Sequence, residues 1–468
     1  MAAVRGFLAG AGARAWLVGG ALRDLLMGRE PHDLDLVTSG EPAPLARRFA
    51  DSIGGSFFTM SEEFMTCRVV APEGGTNWDF SRMRGASIED DLRERDFTVN
   101  AIALEFPEGA ALVDPLGGGA DLAAGRLAPV SEDVFAHDPL RLLRAVRLEK
   151  TTGLIIDDAL ARRIRASAYL AGQPAPERIF AELGHLLAAP GTAAAVRRLD
   201  GLGLLAVLLP ELTALKGVMQ NEYHHLDVFE HTLANSEALD CVITSPASFF
   251  PERADQLEER MRGRVAGDAG WKLVMALASL LHDSGKPGAQ FTDTDGQVRF
   301  FEHDRRGAEL AAAILSRLKA SAGMIRAVSF LVRKHMRFEG LIQQYPPSER
   351  ARLRYMRATE PYTPELIMLS VADRLSVRGR LVTEADVERH LALAREMMNS
   401  WFEREEAVPL PKLAGGNDLM RELGLKPGTL LGELLDGIRE EQELGRITTR
   451  EEALELASRL LKERREED

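Results

Sequence analysis

Residues 17–37 read L-V-G-G-A-L-R-D-L-L-M-G-R-E-P-H-D-L-D-L-V, and no other stretch constrains the fold as strongly. Leu17 and Val18 have the character of a short buried strand, and Gly19 and Gly20 allow a tight turn into a helix. Backbone N–H groups at such a turn, with a helix start behind them, make an anion site suited to phosphate. Arg23, one turn on, adds a positive charge. Pro31 ends the helical pattern, and 32–37 alternates polar with apolar. Residues two apart in a strand share a face, so Asp33 and Asp35 lie side by side while Leu34 and Leu36 turn into a core. Neighbouring carboxylates repel unless a cation neutralises them, and hard oxygen ligands suit Mg²⁺. A phosphate cradle beside such a pair is the equipment of phosphoryl or nucleotidyl transfer. Taken singly, the two halves are an ordinary βαβ turn and a solvated Asp-x-Asp; their closeness favours the joint reading.

A chain of 468 residues is too long for one core, so several domains are expected. Residues 1–130 read as mixed α/β, with strands at 15–18, 33–37, 67–70, 77–80 and 111–113 and helices at 21–27 and 45–53. Asp79, alternating with Trp78 and Phe80, is a candidate third carboxylate, though a plain surface Asp fits equally. From 131 the pattern is helical. The expected class is α+β: a mixed-sheet head at 1–130, a helical neck and body at 131–215, a second helical domain at 216–395 and a small helical tail at 396–468. Residues 244–270, charged and Pro-containing, read as a loop-bearing insertion. Val408, Pro409, Leu410 and Pro411 mark a linker.

Only Cys67 and Cys241 are present, which excludes a disulfide framework and points to a reducing cytoplasm. Arg14 interrupts the apolar N-terminal run, so a signal peptide is not expected, and no 18-residue apolar run offers a membrane span. A net charge of −13 argues against indiscriminate nucleic-acid binding. It leaves room for a local basic face: 141–165 carries seven basic residues against three acidic ones, either an RNA-docking surface or a solvated helix.

A second string, R-D-F-T-V-N-A at 95–101, accompanies the first. The two resemble motifs A and B of the class II tRNA nucleotidyltransferase and bacterial poly(A) polymerase family, within the DNA polymerase β superfamily. The resemblance implies that Asp33 and Asp35, with Asp79 as a candidate third, hold two Mg²⁺ ions. It also implies that Gly19, Gly20 and Arg23 cradle a triphosphate and that Arg95, Asp96 and Asn100 hold ribose and phosphate. Gly117, Gly118 and Gly119 with Asp121 and Leu122 resemble motif C, the glycines serving a turn. Pro176, Glu177, Arg178 and Ile179, with Glu182, resemble motif E.

In 137–147, H-D-P-L-R-L-L-R-A-V-R, Asp138 is expected as helix cap and Pro139 as first helical residue, with Arg141, Arg144 and Arg147 following at helical spacing. Three apart on a helix, Asp138 and Arg141 would meet on one face. Cytosine and adenine each present an amino donor beside a ring-nitrogen acceptor, so one carboxylate and one guanidinium could read both and refuse guanine and uracil. This resembles motif D, usually E-D-x-x-R, with His137 in place of the leading Glu; the family assigns base selection to that Asp and Arg.

Six of the ten histidines lie between His224 and His335. His231, then His282-Asp283 within L-L-H-D-S-G-K-P, then Asp373 follow the order of HD-domain metal-dependent phosphohydrolases. Imidazoles mixed with carboxylates suit Mn²⁺, Ni²⁺ or Co²⁺ better than Mg²⁺. His303 and His335 are candidates for a second ion or satisfied helix histidines; His224 and His225 are expected at the surface or behind the ligands.

The function implied is CMP addition to the 3′ end of tRNA from CTP, with pyrophosphate release, plus HD phosphohydrolase activity. Between Asp79 and Arg95 stand only fifteen residues. Family members that complete CCA usually carry a longer flexible loop here, so CC addition is expected over CCA addition, with ATP used poorly and a separate enzyme adding the final A. A poly(A) polymerase, an HD phosphohydrolase with an inactive RNA-binding head, and a non-catalytic RNA-binding protein are the competing readings; the intact D-L-D and R-D-F-T-V-N-A oppose the last two.

Overall fold

The alternation of Asp33, Leu34, Asp35 and Leu36 becomes a strand at the centre of a seven-stranded sheet. The computed structural model describes residues 2–31, 33–61, 65–72, 75–106, 112–220, 225–265, 269–294, 296–408 and 410–467. The strands are β1 Ala15–Val18, β2 Asp33–Thr38, β3 Ser56–Ser61, β4 Thr66–Val70, β5 Asn77–Arg82, β6 Ala103–Phe106 and β7 Leu112–Val113, in the order β3-β4-β5-β2-β1-β6-β7. β2 pairs parallel with β5, bringing Asp35 opposite Asp79, and antiparallel with β1, bringing Asp35 opposite Val18.

Both faces of this sheet are covered, which is why β1 is buried throughout. On one face Leu17, Leu34, Leu36 and Phe80 pack with Phe49 of the helix Pro42–Ile53 and Leu8 of the helix Ala2–Ala11. On the other, Trp16, Val18 and Val37 pack with Ile88, Leu92 and Ala101, holding the R-D-F-T-V-N-A segment against the sheet.

The chain divides into two compact units, residues 1–186 with 194–213, and 187–193 with 214–468. The first unit continues from the sheet into the helices Val134–His137, Arg141–Thr152 and Asp158–Ser167. The second is helical apart from short strand pairs. Its helix Trp271–Leu281 is buried almost all round, as expected for a central helix, and ends at His282 and Asp283. Residues 416–467 form three helices around their own core of Leu419, Leu434, Ile438 and Ala453. Among the described residues no helix is long and apolar enough to cross a membrane.

Two expectations need correction. The stretch expected as a loop-bearing insertion contains the helix Ala254–Arg262, whose Leu257 and Met261 are buried four residues apart. The basic helix begins at Arg141; Asp138 follows Val134–His137 with extended backbone, and its Oδ1 accepts the Leu140 N–H at 3.1 Å. Residues Ala2–Ala11, for which no element was expected, form a helix docked on the head core. His32, His224, Ala111 and Pro409 lie outside the described residues.

Candidate active sites

Leaving β1, the chain turns at Gly19 with φ +71° and enters the helix Gly19–Leu26. A side chain there would be strained, and its Cβ would meet Arg95 Nη1 at 3.1 Å and Asp35 Oδ2 at 3.2 Å. Glycine thus brings the turn up to both groups. The turn borders a cleft of about 900 Å³, also lined by Asp35, Arg84, Arg95, Asp96, Asn100, His137, Asp138, Arg141, Arg144, Gln173 and Arg178.

Asp33 and Asp35 share a face of β2, with Asp79 beside them on β5. Asp33 accepts from Asn77 Nδ2 at 2.8 Å. Arg68 on β4, which sequence reasoning missed, grips Asp79 through two hydrogen bonds of 2.7 Å and stands 3.6 Å from Asp33. It lies opposite Asp79 in the β4–β5 register, a pairing visible only once the strands are aligned. The Asp35 carboxyl is pushed up to about 6, first by burial; Arg95 opposes the rise, Asp79 and Asp33 reinforce it, and Arg68 opposes it more weakly. Three carboxylates share one face, one of them driven toward neutrality and Asp79 taken by Arg68, and a divalent cation is the ligand that would relieve their repulsion.

Behind the cleft a chain of polar contacts ties the motifs together. Arg23 is buried; it pairs with Asp24 and donates from Nη1 to Asn100 Oδ1 at 2.8 Å, so it does not line the cleft. Asn100 Nδ2 donates to Asp96 Oδ1 at 3.0 Å, and Asp96 pairs with Arg144 at 2.8 Å. Burial alone would raise the Asp96 carboxyl, but Arg144, Asn100 and the Phe97 N–H hold it below the usual range. Arg144 stands 3.8 Å from Glu182, which Arg147 engages at 2.7 Å; Arg147 too is set back from the cleft. Arg95 pairs with buried Asp91 at 2.8 Å. Asp121 accepts from Thr98 Oγ1 at 2.6 Å; of the motif C glycines, Gly117 makes the expected turn with φ +73°, and Gly118 allows close packing, since a Cβ there would fall 2.0 Å from the Thr98 carbonyl.

Asp138 and Arg141 both line the cleft, but they are not paired as their spacing suggested. Asp138 Oδ2 is held by Arg178 at 2.8 Å, and Arg141 donates to the Glu94 carbonyl at 2.6 Å. The reason is the extended backbone at Asp138, which removes the helical geometry on which an i,i+3 contact depends.

In the second unit His231, His282, Asp283, His303 and His335 are buried and border, or stand at the floor of, a pocket of about 520 Å³. The Nε2 atoms of His231 and His282 face each other at 3.3 Å, as do those of His303 and His335. The Nδ1 atoms of His282, His303 and His335 lie 2.6–2.8 Å from the carbonyls of Ser279, Phe300 and Val332. That arrangement places the proton on Nδ1 and aims the Nε2 lone pairs inward, the orientation that outer partners give to metal-binding imidazoles. Asp283 divides its oxygens: Oδ2 lies 3.4 and 3.2 Å from His231 and His282, and Oδ1 lies 3.5 and 3.8 Å from His303 and His335. Asp373 Oδ1 is 3.1 Å from His231. Burial, with His303 and His282 alongside, lowers His335 to about 4 and keeps it neutral. Mixed imidazole and carboxylate donors converging on two points fit transition-metal ions. His225 is exposed.

Comparison with known proteins adds the following. Residues 15–128 match the Poly A polymerase head domain, 153–216 the probable RNA and SrmB-binding site of polymerase A, and 263–378 the HD domain. The chain is 38% identical to an A-adding tRNA nucleotidyltransferase of Deinococcus radiodurans, over 96% of each chain. It is 35% identical to a CC-adding tRNA nucleotidyltransferase of Thermus thermophilus, over 94% of this chain and 92% of the other. Among solved structures, a CCA-adding enzyme in complex with ATP superposes with a TM-score of 0.64 at 21% identity, covering 98% of this chain and 94% of that one. The Thermotoga maritima CCA-adding enzyme complexed with tRNA gives 0.59 at 21% identity and the same coverage.

Proposed function

The chain belongs to the tRNA nucleotidyltransferase family, with a Poly A polymerase head and an HD domain, and from that membership we propose that it is the CC-adding kind, acting in the cytoplasm. The observation that carries this is the connection after β5. Its Arg84 N–H donates to Asp91 at 3.1 Å, and the N–H groups of Ala86 and Ser87 donate to Asp90 at 3.3 and 3.2 Å. Ser87 and Asp90 complete a capping box for the helix Ile88–Arg93, and Gly85 packs with its Cβ position 2.6 Å from Asp90 Cβ. A segment so short and so pinned has no slack with which to remodel the base pocket between C and A. One pocket state favours one base, and another enzyme would then supply the terminal A. The D. radiodurans relative supports a second reading, in which the single state is set for A. The tRNA names of both relatives favour tRNA over poly(A) synthesis.

In this reading the head (1–130) does the chemistry and the segment 131–215 selects the base. Asp33 and Asp35, with Asp79 turned from Arg68, would hold Mg²⁺. When bound, Mg²⁺ activates the RNA 3′-hydroxyl and stabilises the pyrophosphate leaving group. Backbone N–H groups of Gly19 and Gly20 with Arg95 receive the triphosphate, and Asp96 and Asn100 the ribose; Arg144 lines the same cleft, and Arg23 and Arg147 brace it from behind. Asp138 accepts the amino group of cytosine and Arg141 donates to its ring nitrogen. In the domain at 216–395, His231, His282, Asp283 and Asp373 would hold one transition-metal ion, and His303 and His335 with the other Asp283 oxygen a second, for phosphoester hydrolysis. Residues 396–468 are a helical tail. Offering CTP and ATP separately to tRNA ending at the discriminator base, at C and at CC tests the head assignment: C addition to the first two supports it, and A addition to CC-ended tRNA alone favours the second reading.

A further inference from the structure

Strand register carries the row of head carboxylates past the cleft to the edge of the sheet. Asp35 stands opposite Asp79, Asp79 opposite Arg68, and Arg68 opposite Phe58 on β3, an edge strand. Directly opposed residues of neighbouring strands project from the same face, so these four side chains share one side of the sheet. Phe57, one residue earlier, turns to the other side and packs on the core. Phe58 is 53% exposed, and Met60, at the irregularity between Thr59 and Ser61, is 57% exposed. Strands favour aromatic residues, and single exposed ones are common. That accounts for an aromatic residue on β3; it does not explain an exposed ring on the carboxylate face, in line with Arg68 and Asp79.

We propose that Phe58 is a stacking platform for an unpaired base of the RNA acceptor end, and so a positioning residue for nucleotide addition. The proposal rests on the head reading, in which the carboxylates meet the 3′-hydroxyl, and adds where the strand behind that hydroxyl runs. In phosphoryl transfer the attacking and leaving oxygens lie roughly in line, so acceptor and triphosphate approach from opposite sides. The triphosphate turn at Gly19 follows β1, on one side of β2; β5, β4 and β3 lie on the other. That second side is left for the acceptor. Strands lie about 4.8 Å apart, which puts Phe58 about 10 Å from Asp79 and about 14 Å from Asp35. With its hydroxyl at the carboxylates, the terminal nucleotide falls short of the ring, and the base before it comes within reach. Arg68 grips Asp79 through Nε and Nη2, so its Nη1 edge points away from that carboxylate, where the phosphate joining the two nucleotides would pass. Every base has a π-face, so the platform tolerates whichever base precedes the added ones.

The test uses the full-length protein and tRNA ending at the first added C, either intact or with an abasic site just before that C. Fluorescence anisotropy reads equilibrium binding, and nucleotide addition gives KM for tRNA and for CTP. Phe58→Ala should weaken binding of intact tRNA about fivefold or more, the loss typical of one stacking aromatic. KM for tRNA should rise by a similar factor while KM for CTP holds. The abasic site should weaken wild-type binding as much, and Phe58→Ala binding no further, the signature of a shared contact. Phe58→Trp should retain wild-type affinity. Because Phe58 is exposed, its truncation leaves the core intact and the melting temperature near that of wild type. A Phe58→Ala protein that binds intact tRNA as wild type does overturns the platform. So does an equal loss with intact and abasic tRNA, or a rise in KM for CTP alone. Binding reads the platform without turnover, so a wild-type protein that binds tRNA and adds no nucleotide to any end overturns the head reading instead.

Discussion

Replacing Arg178 by Ala separates base reading from the rest of nucleotide binding. Its guanidinium holds Asp138 Oδ2 at 2.8 Å, while the other oxygen is fixed by the Leu140 N–H. The side chains are 54% and 28% exposed, so solvent screens the pair and its loss should cost less than about 1 kcal/mol of stability. The effect on function is larger in kind. With one anchor gone, Asp138 turns about the remaining bond, and the oxygen proposed to accept from the cytosine amino group is no longer fixed. A hydrogen bond to a charged group is worth about 1.5–3 kcal/mol. Losing part of that should reduce the preference for CTP over UTP roughly threefold to tenfold. Single-nucleotide addition to tRNA, with kcat/KM for CTP, UTP, ATP and GTP measured separately, reads this out. Arg178→Lys should restore most of the preference. A uniform fall for all four nucleotides would remove Arg178 from base reading, and so would an unchanged ratio, because the Leu140 N–H would then suffice to place Asp138.

Three further outcomes are expected. Asp33→Ala and Asp35→Ala should each fold, bind tRNA and lose nucleotide addition by at least ~10²–10³ in rate, measured under saturating Mg²⁺; near-normal turnover would remove them from the site. His282→Ala and Asp283→Ala should lose metal, by elemental analysis, and phosphatase activity with Mn²⁺, Ni²⁺ or Co²⁺, while nucleotide addition by the head continues. Asp96→Asn should lower stability in urea by about 2 kcal/mol at neutral pH, below the 3–5 kcal/mol of a fully buried pair because Arg144 is partly solvated and also near Glu182. Since the Asp96 carboxyl sits below its ordinary range, its contribution is complete above about pH 4 and is lost as pH falls through the folded value. The difference between wild type and Asp96→Asn should therefore narrow in acid; a constant difference would mean the charge is not what stabilises.

Local pattern made some of this legible and three-dimensional pairing withheld the rest. The D-L-D strand and the glycine turn declare themselves because period-two alternation and a positive φ leave direct marks on sequence. β3 left no such mark: Phe57 packs on the core while Phe58 and Met60 are exposed, so apolar residues occupy both faces. Arg68 was out of reach because it acts through strand register, eleven residues from its partner Asp79. Arg178 was visible within motif E, but forty residues of chain separate it from Asp138. The residues of the proposed HD site were readable as an order; the division of Asp283 between two imidazole pairs depends on side-chain geometry that spacing does not encode.

If the short, pinned connection limits the head to C addition, sequencing the 3′ ends made from tRNA lacking CCA, with CTP and ATP supplied together, will read it out. The products should end at CC, with A found on few molecules. Efficient CCA ends would contradict the claim, and so would A addition to CC-ended tRNA with no C addition to the shorter substrate.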